Sequence, residues 1–147
     1  MKNAGQTLTL AKNVIAMWIK KNLNPLGKNT GDCVVRAIAY ATGRTWDEVY
    51  QDLCDIGYQR AEMPSINSNW WAYLKDCGYR RNIIPDSCPN CYTVKDFCME
   101  HPAGRYILFI PHSDREGVGH VVAVDNGNYI DTWDSGNCVP LVYWEED

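Results

Sequence analysis

The pair Asn126-Gly127 stands between two apolar runs, Gly119 to Val124 and Tyr129 to Trp133. Both residues take positive φ readily, as a two-residue type I′ turn demands, so the segment reads as a β-hairpin. A two-residue loop also fixes the register. Asp125 then faces Asn128, Val124 faces Tyr129, Val122 faces Asp131 and His120 faces Trp133. Because side chains alternate across a strand, His120, Asp131 and Trp133 are expected on one side of the sheet, with Asp131 diagonal to His120. Asp134 would pair with Gly119 and point to the other side. The register therefore selects Asp131, not Asp134, to orient the imidazole.

Two further β-type runs flank the hairpin, Arg105 to Ile110 and Val139 to Trp144. Ahead of Pro102 the period is helical. Residues 9 to 22 carry Leu10, Val14, Trp18 and Ile19 near helical spacing, with Lys20 and Lys21 at the end the helix dipole favours. A loop with Pro25, Gly27 and Gly31 follows. From Asp32 or Cys33 to Thr42, Val34, Ala37, Ile38 and Ala41 form a stripe that Gly43 stops, and Asp32 is suited to cap its start. Thr45 and Glu48 form a capping box for the next helix, which Gly57 is expected to close. Residues 67 to 77 form a third helix, with Trp70, Leu74 and Cys77 inward and Gly78 at its end. A fourth runs from Thr93, boxed with Asp96, to His101.

Helices first and an antiparallel sheet second make an α+β fold. No linker or repeat interrupts it, so one domain over 1–147 is expected. Its parts are an N-terminal helix (1–23), a mainly helical part (24–101) and an antiparallel sheet (102–147). Net charge is −4 and the basic residues are scattered, which argues against nucleic acid as a partner. No apolar run nears membrane-spanning length and no signal peptide is legible, so a cytoplasmic protein without a membrane partner is expected. In a reducing compartment, Cys54, Cys77 and Cys138 read as small packed thiols rather than disulfides.

Cys33 is different. It opens a helix directly after a glycine-containing loop, the setting that lowers a thiol pKa when a histidine is near. His120 is the candidate base, and Asp131 the group that sets its tautomer. Trp133 is a candidate wall of the substrate cleft, and the loop 111–117, which contains His112, a candidate border.

The segments G-D-C-V-V-R-A-I-A, G-H-V-V-A-V and Y-I-D-T-W-D together resemble the papain-like cysteine peptidase superfamily. They are similar above all to bacteriocin-processing double-glycine peptidases and to small phage and prophage proteins of papain-like type. The first segment also resembles the Asp-Gly-x-Cys-x-x-Arg-Ala motif of ovarian-tumour-type deubiquitinases, with Thr30 in place of the leading Asp. The likeness runs from about Asn24 to Trp144, loosely over 55–92. It implies a papain-like fold with the nucleophile helix packed on the sheet, Cys33 as nucleophile, His120 as base and Asp131 as third residue. It also implies a protein or peptide substrate and, if phage-encoded, a bacterial host cell.

One departure concerns the oxyanion. The superfamily's Gln, six residues before the Cys, is Gly27 here. Asn29 is the nearest amide, Asn24 the alternative. The expected function is a cysteine peptidase or isopeptidase, without cofactor, working through a thioester. The alternatives are an amidase or acyltransferase with the same triad, or an inactive papain-fold protein that binds a host or virion partner through Trp70, Trp71, Tyr73, Tyr143 and Trp144. A structural zinc on Cys88, Cys91, Cys98 and His101 is a further reading, since Cys98 and His101 are one helical turn apart and Cys88-x-x-Cys91 is knuckle-like. The sequence does not give the oligomeric state.

Overall fold

The computed structural model describes residues 15–112 and 119–147. They form an α+β fold with a mixed sheet. In chain order the elements are β1 (Met17–Lys20), α1 (Cys33–Thr42), α2 (Trp46–Arg60), α3 (Asn67–Asp76), β2 (Tyr79–Ile83), α4 (Val94–Glu100), β3 (Arg105–Pro111), β4 (Gly119–Asp125), β5 (Asn128–Asp131) and β6 (Val142–Glu146). The strand order is β1-β5-β4-β3-β6-β2, with β1 parallel to β5 and the other pairings antiparallel.

The central strands are apolar at consecutive positions because both faces are covered. Ile107, Phe109, Val121 and Ala123 meet the layer built from α1, α2 and α3. Leu108, Ile110, Val122 and Val124 meet α4 on the opposite face. The first core is aromatic: Trp70 and Trp144 are fully buried with ring centroids 4.7 Å apart, and Phe109 joins them at 6.1 Å from Trp70. Truncating one of these tryptophans to alanine costs about 3–5 kcal/mol. Trp70, Tyr73 and Trp144 are thus core residues, which removes most of the aromatic surface expected of a binding-only protein.

Local signals act where they stand. Asn126 (φ 49°) and Gly127 (φ 79°) make the I′ turn, and Asp125–Asn128, Val124–Tyr129 and Ala123–Ile130 pair in the expected register. Both capping boxes form. Gly43 ends α1 in the left-handed region.

Several expectations are corrected. Over residues 9–22, the positions up to 14 lie outside the described residues, and Met17–Lys20 is a strand rather than helix. Trp18 Nε1 and the Lys21 N–H both donate to the Asp131 carbonyl at 3.1 Å, a tertiary pairing that overrides weak periodicity. Gly57 does not close α2. The helix runs to Arg60, and Ala61 takes the left-handed turn. Gly57 is instead where the returning chain crosses the helix, since a Cβ there would sit 2.7 Å from the Glu62 carbonyl oxygen. Cys77 is the C-cap of α3, just ahead of Gly78. The last two strands are shifted: β5 stops at Asp131 and β6 begins at Val142. The edge strand β2, with Arg80 and Arg81 exposed, has no apolar alternation to announce it. Among the described residues, no helix is long and apolar enough to cross a membrane.

Candidate active site

Cys33 is the first residue of α1, and the helix packs its apolar stripe on β3 and β4. That packing carries the thiol to the end of β4 where His120 sits. The two side chains stand close enough that each shifts the other's pKa, and the Val121 backbone also acts on the thiol. His120 Nε2–H donates to Asp131 Oδ2 at 2.5 Å, which leaves Nδ1 to face the sulfur. The imidazole is thus held from both sides.

Asp131 is 2% exposed and ends β5. It also accepts from Ser135 Oγ at 2.7 Å and from the Thr132 N–H at 2.8 Å, and Arg36 Nη1 lies 3.6 Å from its Oδ1. A buried carboxylate so supplied with donors is held in position. Asp134 turns elsewhere, accepting from the Tyr129 hydroxyl and the Gly136 N–H. The encounter of His120 with Asp131 does not come from a full ladder. Paired residues between β4 and β5 end at Ala123–Ile130, and the last turn of Asp131 toward the imidazole follows where the strands part.

Asp32 does not cap α1 through its side chain. Its carboxylate is taken by Arg36 Nε at 2.8 Å and by Asn24 Nδ2 and Trp46 Nε1, each at 3.0 Å. Arg36 therefore bridges the residue before the nucleophile to the residue behind the base. Sequence reading missed this role, although the Asp32–Arg36 spacing of four along a helix was a usable sign. Ser135 left no sign at all.

Charge distribution decides the protonation state. Burial pushes the Cys33 thiol up, but the His120 hydrogen bond and charge, the Val121 backbone and the Arg36 charge together bring it below its ordinary value. Burial pulls His120 down, while Asp131 and Cys33 raise it further, to about 9. Both shifts favour the thiolate–imidazolium form of the pair over the neutral one.

A cleft of about 560 Å³ opens over the thiol, bordered by Asn29, Gly31, Met63, Ile66 and Trp133. The Trp133 ring lies 4.8 Å from the imidazole, is 46% exposed and lines the cleft, although it is not a ladder partner of His120. His112 lines the same cleft, whereas 113–118 of the expected bordering loop lie outside the described residues. Asn29 is exposed at the rim. Asn24 is spent on Asp32 and on the N–H groups of Leu26 and Lys28, so it is not free for an oxyanion.

The four residues weighed as zinc ligands are not gathered. Cys98 is fully buried in the second core, Cys88 and Cys91 are exposed on a loop, and His101 stacks on Phe97 with Nδ1 2.9 Å from the Phe97 carbonyl oxygen. Among the described residues, no group of three or more His, Cys, Asp or Glu side chains is placed to hold a metal ion. All seven cysteines are free, with Cys54, Cys77 and Cys138 part-buried.

Comparison of the chain with protein-family models, with curated proteins and with solved structures finds no match in any of the three.

Proposed function

We propose that the protein is a papain-like cysteine hydrolase acting on a peptide or isopeptide bond. The observation that carries this reading is the continuous chain Cys33–His120–Asp131, with the thiol lowered and the imidazole raised. The layout supports it as well, since a nucleophile at a helix start packed on a sheet that bears the base is the arrangement the sequence resemblance implies.

In this reading the Cys33 thiolate attacks the carbonyl carbon and the oxygen takes the negative charge, received by the Cys33 N–H and the Asn29 amide. The C–N bond breaks, the His120 imidazolium gives its proton to the departing amine, and a thioester remains. Neutral His120 then takes a proton from water. The resulting hydroxide attacks the thioester carbonyl, the C–S bond breaks, and the carboxylic acid departs from a Cys33 thiolate that again faces the His120 imidazolium.

Hydrolysis of a mixed peptide library, followed by mass spectrometry, tests it. Cleavage is expected from the wild type, with none from Cys33→Ala and a loss of about 10²–10⁴-fold in His120→Ala. Cleavage that persists in Cys33→Ala would refute the assignment, and so would a folded wild type that shows neither cleavage nor preferential alkylation at Cys33.

A further inference from the structure

A pocket of about 360 Å³ lies between the chain that leaves β2, the end of α4 and β6. Its apolar lining belongs to the second core, across the sheet from Cys33, and it shares no lining residue with the cleft over the thiol. The volume is at the lower end of the range for small-molecule pockets, about 300–1,000 Å³.

Aromatic rings make up much of its wall. Phe97, His101 and Tyr143 form one cluster, with centroids 3.8 Å apart for Phe97–His101, 5.0 Å for Phe97–Tyr143 and 5.7 Å for His101–Tyr143. Tyr92 also lines the pocket, and its hydroxyl donates to Glu100 Oε2 at 2.6 Å. The charged lining groups are two exposed carboxylates, Asp86 and Glu100, and no lysine or arginine joins them among the described residues. Arg80 acts on Tyr143 from outside the lining, and it is held by Glu145 and Asp147.

The polar groups around this pocket mostly accept. The Tyr92 hydroxyl has given its hydrogen to Glu100, so its oxygen is left to accept. A carbonyl only accepts, so His101 Nδ1, 2.9 Å from the Phe97 carbonyl oxygen, carries the hydrogen, and Nε2 of the neutral ring is an acceptor. Asp86 Oδ1 takes the Cys88 N–H at 3.0 Å, while Asp86 Oδ2 and Glu100 Oε1 have no partner among the described residues. An anion here would meet two carboxylates. A neutral apolar ligand would displace water from them and return nothing. A cation would gain from the carboxylates and from the ring faces alike.

We propose that this pocket binds a small organic cation, an ammonium or guanidinium group on a short apolar stem. The stem packs on the apolar lining, and the head is received by Glu100 and Asp86. The proposal stands apart from the hydrolase reading, because the pocket and Cys33 lie on opposite faces of the sheet.

Titration calorimetry on the full chain tests it, with three probes of one stem length: cadaverine, 1,5-pentanediol and glutarate. Cadaverine is expected to bind at least about tenfold more tightly than the other two. Glu100→Gln keeps an acceptor for Tyr92 but removes the charge, and should lower cadaverine affinity about 3- to 10-fold. Tyr143→Leu should weaken it as well. Asp47→Asn removes an equal charge from an exposed position of α2 outside the pocket, and should change nothing. A capped Gly-Lys-Gly peptide carries the same ammonium group. Binding tighter than that of cadaverine would assign the cation to a lysine side chain of a protein, and weaker binding to a free amine. Comparable affinity for cadaverine and pentanediol overturns the proposal. So does cadaverine affinity that Glu100→Gln leaves intact, or that Asp47→Asn lowers as much as Glu100→Gln does.

Discussion

Cys33 and Cys98 both sit on helices packed against the same sheet, on opposite faces, Cys33 part-buried and Cys98 fully buried. Around Cys98 no charge offsets burial, which alone pushes its thiol up to about 12. Around Cys33, burial acts in the same direction, yet the thiol ends below its ordinary value because His120, the Val121 backbone and Arg36 face it. Burial therefore does not make a cysteine inert or reactive. The charges buried with it do. The histidines repeat the contrast. His101 lies flat on Phe97 with a backbone carbonyl for company, whereas His120 stands between a sulfur and a carboxylate.

The comparison can be broken by making Cys33 more like Cys98. The largest effect is expected from Asp131→Asn, which removes the charge that holds the imidazolium. Peptide hydrolysis should fall about 10²–10⁴-fold. The same substitution should alter stability with a definite pH dependence. His120 has a folded pKa of about 9 against an ordinary 6.5, so its ion pairs stabilise the fold fully below about 6.5 and cease to as pH rises through about 9. The gap in melting temperature between wild type and Asp131→Asn should accordingly be widest in mild acid and narrow above pH 9. A constant gap would mean that His120 is not protonated in the folded protein.

Arg36→Gln comes next. It withdraws a cation from the thiol and releases Asp32 and Asp131 from their shared partner. Alkylation of Cys33 at pH 7 is expected to slow by about 3- to 10-fold, with partial recovery in Arg36→Lys, which restores charge without the fork. A slowing of equal size in both variants would assign Arg36 a packing role only. Gly57→Ala should have the smallest effect on the chemistry. A methyl 2.7 Å from the Glu62 carbonyl must displace the 61–66 backbone, costing about 1–3 kcal/mol in denaturant unfolding while sparing the alkylation rate of Cys33.

What the sequence made legible follows the range of the interactions involved. The Asn126-Gly127 turn, the Thr45–Glu48 and Thr93–Asp96 boxes and the stripe of α1 are local, and each stands as expected. The meeting of His120 with Asp131 was legible because a two-residue turn dictates register over a few residues, although the strands part before reaching them. Interactions set by distant chain were not legible. Trp18 and Lys21 are drawn into the sheet by Asp131, Asp32 is drawn from capping by Asn24 and Trp46, and Gly57 answers to a loop that returns across it. Four residues of strand and a lone glycine carry no periodicity from which such contacts could be read.

The mutual shift of Cys33 and His120 toward a thiolate–imidazolium pair is the core of the proposed chemistry. Its most direct test is the rate of iodoacetamide alkylation at each cysteine, resolved by peptide mass spectrometry across pH 4–11. Cys33 is expected to react with an inflection below its ordinary value of 9.0 and a second near 9 as His120 loses its proton, while Cys98 stays unreactive throughout. In His120→Ala the low inflection should vanish. A single Cys33 inflection at or above 9.0, unchanged by His120→Ala, would contradict the account.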